Sequence, residues 1–283
     1  MKIFSYLFII FILLSLALAA SPKRSGLGVR NAHAIAYDRH RDRLVLFGGA
    51  DATKVCGDTW EWDGKEWTQM SVEGPIPRTF PSMAYDNHRK RIVLFGGNRV
   101  LFGDDDDRDT FLNDTWEFDG TQWMQFKVNG PSARSSAALA YDEYRKTAVL
   151  FGGRAQTAVS DETWEWNGSQ WKQNSATPPP PRFNSAAVYD PMDRHVIRFG
   201  GFYRGDRFSE TWGYDGKAWR LLTSLGPAAR NHTSMVYDSK RKKILLFGGH
   251  DGENVFGDMW MWHAQKWVLM QAREPEKRVD NGH

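Results

Sequence analysis

The chain has 283 residues, a formal net charge of +3, 41% hydrophobic residues and a single cysteine. That length suffices for one large core or two small ones. The near-neutral charge gives no argument for nucleic acid, and one cysteine excludes an internal disulfide, so the fold depends on burial.

At the N-terminus Lys2 precedes an apolar run from Ile3 to Leu18, and Ala17, Leu18 and Ala19 make the small-x-small pattern of a signal-peptidase site. This predicts a signal peptide over residues 1–20 and a secreted or periplasmic protein without a membrane span once it is removed. The competing reading is a membrane anchor formed by uncleaved residues 3–20, a run that approaches spanning length. Cys56 follows, either buried or paired with another chain.

From Arg30 onward one pattern repeats. Arg30, Arg78, Arg134, Arg182 and Arg230 open five units, and seven residues after each stands a Tyr followed by Asp, from Tyr37 and Asp38 to Tyr237 and Asp238. Small residues such as Ala34, Ala36, Ala84 and Ala140 lie between, suited to an innermost strand where neighbouring units crowd together. A mostly basic turn leads to a second strand, LVLFGG ending at Gly49, which returns ending at Gly97, Gly153, Gly201 and Gly249. Its apolar run suits a strand covered on both faces, and its Gly pair permits close backbone approach.

A loop then leads to a third strand with aromatic residues two apart, Trp60 and Trp62, Trp116 and Phe118, Trp164 and Trp166, Trp212 and Tyr214, Trp260 and Trp262. Asp-Gly or Asn-Gly turns join it to a fourth strand that brings Trp67, Trp123, Trp171, Trp219 and Trp267. In the fifth unit His263 and Ala264 replace that turn pair. These positions hold all thirteen Trp residues, so the indoles read as structural, with a sugar-stacking platform as the other use.

Four antiparallel strands repeating at about fifty residues resemble the kelch repeat, with its double Gly, spaced aromatics and Pro-Arg start, plainest at Pro77 and Arg78 and at Pro181 and Arg182. The resemblance, which extends to galactose-oxidase-like repeats, implies an all-β, five-bladed β-propeller of four-stranded antiparallel kelch blades over residues 21–271, behind the signal peptide. The blades fall at about 28–72, 73–128, 129–176, 177–224 and 225–271. Ring closure then rests on side-chain packing between blades one and five, on a looser seam, or on a partner chain. Residues 272–283 read as a frayed polar tail.

Strand alternation puts the loop after each Gly pair and the link between blades on one face, which kelch propellers commonly use for ligands. Arg30, Arg78, Arg134, Arg182 and Arg230 would ring the channel mouth there and could accept a carboxylate or phosphate. Asp58, Asp114, Glu162, Glu210 and Asp258 emerge on the same face, one for each Arg, and make structural ion pairs the competing reading. His33, His232 and His250 also belong to this face; their spacing matches no metal motif, so neither a metal nor any cofactor is expected. Asn184, Tyr203, Arg204 and Arg207 could line a pocket. The second unit's longer loop, with Asp104 to Asp107, fails the calcium-loop pattern and reads as a solvated acidic loop or a partner contact.

No nucleophile-base or metal-ligand signature stands out, so the leading expectation is a non-catalytic exported scaffold that binds a protein or carbohydrate ligand through the long-loop face. The alternative, implied by the resemblance, is a carbohydrate-active enzyme of the sialic-acid mutarotase type using Arg and His at the channel mouth.

Overall fold

The computed structural model describes residues 26–101, 110–272 and 276–277; the segment 1–20 and the acidic stretch Asp104 to Asp107 lie outside the described residues. Each repeat folds into one four-stranded antiparallel sheet ordered from the inside outward. Blade one is Ala34–Asp38, Arg43–Phe47, Thr59–Trp62 and Trp67–Gln69. Blade two is Ser82–Asp86, Arg91–Asn98, Phe111–Phe118 and Trp123–Phe126. Blade three is Ala138–Asp142, Thr147–Phe151, Thr163–Trp166 and Trp171–Asn174. Blade four is Ala186–Asp190, His195–Phe199, Thr211–Tyr214 and Trp219–Thr223. Blade five is Ser234–Asp238, Lys243–Phe247, Met259–His263 and Lys266–Gln271. Together they form a five-bladed propeller, its inner strands lining a central channel.

The core lies between the blades. Four buried clusters fill the junctions one to two, two to three, three to four and four to five. Each is built the same way because the second strand of one blade presents its Phe to the fourth-strand Trp of the next. Phe47 lies 5.3 Å from Trp123, Phe95 5.4 Å from Trp171, Phe151 5.2 Å from Trp219 and Phe199 5.7 Å from Trp267, centroid to centroid. Edge-on contacts of this kind add to the area the rings bury. A buried indole N–H needs an acceptor, and the opposing blade supplies a threonine hydroxyl, as Trp171 donates to Thr115, Trp219 to Thr163 and Trp267 to Thr211, each at 2.8 Å.

The Gly pairs serve the same junctions. Gly49 donates its N–H to the Arg78 carbonyl at 2.8 Å, and a Cβ on Gly48 would stand 2.6 Å from that oxygen. Gly97, Gly153 and Gly201 repeat the bond to Arg134, Arg182 and Arg230. A side chain at the first Gly would therefore push the blades apart.

The fifth junction is different. No shared buried cluster joins blades five and one among the described residues, Phe247 is 52% exposed where its four counterparts are at most 1%, and Val236 and Ile35 are 59% and 47% exposed. Met259 occupies the register position of the acceptor threonines, so Trp67 has no hydroxyl to meet there. Closure by packing between blades one and five, one of the expected modes, is thus replaced by a loose seam. The physical reason is local: blade five keeps the Phe but lacks the threonine.

On the hairpin-turn face, Arg41 binds Asp38 and Glu61, Arg89 binds Asp86 and Glu117, and Arg145 binds Asp142 and Glu165. Blade four puts Asp193 and Gly213 in the corresponding places and has no such fork. Two short pairings complete the fold: Phe202–Tyr203 with Asp206–Arg207, and Asn254–Val255 with Glu276–Lys277. The latter lays part of the tail, expected to fray, beside a loop of blade five.

Candidate functional site

The long-loop face is assembled from five copies of one polar unit. Arg30, Arg78, Arg134, Arg182 and Arg230 each reach back beneath the first Gly of their own blade and donate to its carbonyl oxygen. Each then pairs with the carboxylate at the start of the third strand. Arg30 meets Asp58 at 2.7 Å, Arg78 Asp114 at 2.6 Å, Arg134 Glu162 at 2.5 Å, Arg182 Glu210 at 2.8 Å and Arg230 Asp258 at 2.5 Å.

A third member was not legible from spacing alone. The first Trp of the third strand, two residues after the carboxylate, donates its indole N–H to the same group, at 2.6 Å for Trp60 to Asp58 and 2.7 Å for Trp116 to Asp114. Trp164, Trp212 and Trp260 do likewise. The carboxyls of Asp58, Asp114, Glu162, Glu210 and Asp258 sit below their ordinary pKa; burial opposes this, but the Arg and Trp donors outweigh it.

Arg78, Arg134, Arg182 and Arg230 are buried to within 1% of completely. None of the five guanidiniums lines the channel or its mouth. Phe208 and Phe256 roof two of them, 3.9 Å from Arg182 and 3.8 Å from Arg230. Cys56 holds the matching place in blade one, which accounts for its burial as a free thiol.

Inside this ring of ion pairs lies the mouth itself, a cavity of about 280 Å³. Two residues past each Arg the chain takes a left-handed turn, at Ala32 (φ 53°), Phe80 (49°), Ser136 (55°), Asn184 (53°) and His232 (53°). Such backbone is uncommon outside glycine and is retained only where neighbours enforce it. Here they do, because backbone bonds run from Phe80 N–H to Ala32 C=O, from Ser136 to Phe80, from Asn184 to Ser136 and from His232 to Asn184. Every blade thereby points a short segment at the axis.

The side chains on these segments decide what the mouth can do. His33 and His232 both line it. The His33 imidazole is held below its ordinary pKa by desolvation first and the Arg30 charge second, so it is neutral and able to accept a proton. His232 stacks on His250, with centroids 5.2 Å apart and ring planes at 15°, and their Nδ1 and Nε2 are 3.1 Å apart. The three histidines named from sequence are thus brought to one end of the channel. Among the described residues no group of three His, Cys, Asp or Glu side chains is arranged to hold a metal. Phe80 reaches across to His232, with ring centroids 6.1 Å apart, and narrows the opening. Asn184 and Ser136 add amide and hydroxyl groups. Tyr203, Arg204 and Arg207 stand on the short ribbon of blade four, where Arg207 leans against Gly252 of blade five.

A family model described as the KLHDC2/KLHL20/DRC7 Kelch-repeats domain matches residues 18–173 and 144–281. Among solved structures, one titled "Structure of YjhT" is similar with a TM-score of 0.70 and 16% sequence identity, over 87% of this chain and 85% of that one. At that identity the likeness is one of fold. No curated protein matches. Among the described residues no helix is long and apolar enough to cross a membrane.

Proposed function

Because the chain belongs to the kelch-repeat β-propeller family over residues 18–281, we propose that the mouth of its channel on the long-loop face is a carbohydrate site, and that histidines there exchange protons with the anomeric centre of the bound sugar. The observation that carries this reading is the convergence of His33 and His232 on one small cavity, with His250 stacked behind. Hydroxyl, amide and imidazole groups match sugar hydroxyls in hydrogen-bonding character. Opening a cyclic hemiacetal requires a base for the anomeric O–H and an acid for the ring oxygen as the ring C–O bond breaks; reclosure on either face of the carbonyl returns both protons. A neutral His33 suits the first role and the His232–His250 pair the second. This is chemistry of the mutarotase type. Arg30 and its four counterparts are engaged within the blades, so the mouth would hold a sugar through its imidazole, amide and hydroxyl groups and not through these guanidiniums.

The second reading is a non-catalytic scaffold for a protein ligand, favoured by the narrowing of the mouth by Phe80. The apolar run after Lys2 supports export with removal of residues 1–20 under either reading.

Anomeric exchange, followed by NMR on freshly dissolved N-acetylneuraminate and on galactose, tests the proposal. We expect equilibration faster than in buffer, slowed at least tenfold by His33→Asn and by His232→Asn, with activity that persists below the ordinary histidine pKa. Equilibration at the buffer rate with both sugars would remove the enzymatic reading and leave the scaffold.

A further inference from the structure

Below the mouth the channel is a cavity of about 830 Å³, and nothing in the proposed sugar chemistry uses it. Its wall is formed by the inner strands, whose five residues span about 16 Å. Alternate residues face the axis, and one level is a belt of Ile35, Met83, Leu139, Ala187 and Met235. The next level is the five tyrosines of the Tyr-Asp pairs, and three of these, Tyr37, Tyr85 and Tyr141, add carbon to the wall while their hydroxyls are engaged or buried elsewhere. The hydroxyl oxygens of Tyr85 and Tyr141 are buried. They lie beside Asp38 and Asp86 of the preceding blade, and burial first and that carboxylate second raise both pKa values, that of Tyr85 to about 12. Tyr37 gives its hydroxyl to Asp42. The wall of the channel is therefore largely apolar at the level of the belt.

The far end of this channel opens through a strongly basic face. The five turns that follow the inner strands, residues 39–43, 87–91, 143–147, 191–195 and 239–243, hold thirteen Arg and Lys against three Asp and Glu. Three of those cations, Arg41, Arg89 and Arg145, are committed to the inward forks. Arg39, Lys90, Lys146, Lys240 and Lys242 are exposed. Arg39 itself lines the channel and pairs at 2.5 Å with Glu143, two blades away.

An apolar belt with a cationic collar at the open end of the channel matches an amphiphile with one anionic head. We propose that the channel binds a linear alkyl carboxylate, its chain within the belt and its carboxylate at the collar, where it takes Arg39 from Glu143. Burial of the chain supplies the affinity, and the collar sets its direction and makes capture sensitive to salt. The site lies apart from the histidines and stands whether or not they act on a sugar.

Calorimetric titration of the full chain with dodecanoate, below its micellar concentration, tests this. One saturable site is expected. Ala187→Trp, which fills the belt at its smallest member, should weaken it at least tenfold, and Arg39→Glu, an exposed change that leaves the core intact, severalfold and in a salt-dependent way. Absence of saturable binding to the folded protein overturns the proposal. So does binding that survives both substitutions, that is lost on Phe247→Ser at the seam, or that is matched by uncharged dodecanol. Vesicles of anionic phospholipid provide the last arm: capture equal for the parent and Ala187→Trp, with no binding of free dodecanoate, would assign the collar to a membrane surface and overturn the channel site.

Discussion

Trp123 of blade two donates its indole N–H to the Thr59 hydroxyl of blade one at 2.9 Å, and this one bond explains why the repeat requires a threonine at the head of its third strand. Four junctions carry the pair; at the fifth the residues are Trp67 and Met259. The contrast is measurable. Phe151→Ala, inside a completed junction, should cost about 3–5 kcal/mol in chemical denaturation. Phe247→Ala, the same change at the seam, should stay within about 1 kcal/mol. Equal losses would mean that the ring closes in solution.

Arg198 stands where the other four blades have Leu46, Leu94, Leu150 and Leu246. It is completely buried, 4.5 Å from the Phe151 ring centroid, with no hydrogen bond to any guanidinium nitrogen. Burial first and the Arg182 charge second drive its pKa well below the ordinary value. Replacing a buried, unpaired charge by an apolar residue that fits removes its desolvation penalty, so Arg198→Leu should stabilise the protein by about 1–4 kcal/mol. A lower melting temperature for this variant would refute the reading.

The long-loop ion pairs respond oppositely. Arg134→Ala leaves the Glu162 carboxylate without its cationic partner and the Gly152 carbonyl without the guanidinium donor, and should cost about 3–5 kcal/mol. Because the carboxyls of these pairs have depressed folded pKa values, their contribution is present above the unfolded value and lost as pH falls through the folded one. Stability measured from pH 6 down to pH 2 should therefore decline through the acid range, and a flat profile would contradict it.

Asp190 is the exception among the Asp residues that end the inner strands. With Asp193 where Arg41, Arg89 and Arg145 stand, it has no fork, and burial raises its pKa. For an acid so raised, stability is full below the unfolded value and is lost as pH rises through the folded one. Asp190→Asn should thus gain on the parent as pH rises from 4 to 7. A difference between the two that does not change with pH would count against this assignment.

Much of this was written in the chain. The Arg start, the Gly pair and the aromatic alternation report strands and blade count because each repeats in phase five times. What stayed hidden was the use of each residue in three dimensions. Spacing places Arg134 and Glu162 on one face, but it does not show that the guanidinium turns under the Gly152 carbonyl and away from the axis. Nor does it show that Trp164 completes the unit. The clue to the seam was available at Met259, the one break in a column of threonines, and it gains meaning only when that column is known to receive an indole from the next blade.

The open seam has a mechanical consequence. A ring bonded at every junction has a fixed bore, whereas a split collar can spread at its gap while its joined segments stay intact. Because Ile35 of the belt and Val236, next in the chain to the belt's Met235, flank that gap, a guest too bulky for the narrowed mouth can be admitted from the side, and the width of the slit becomes the quantity that selects it.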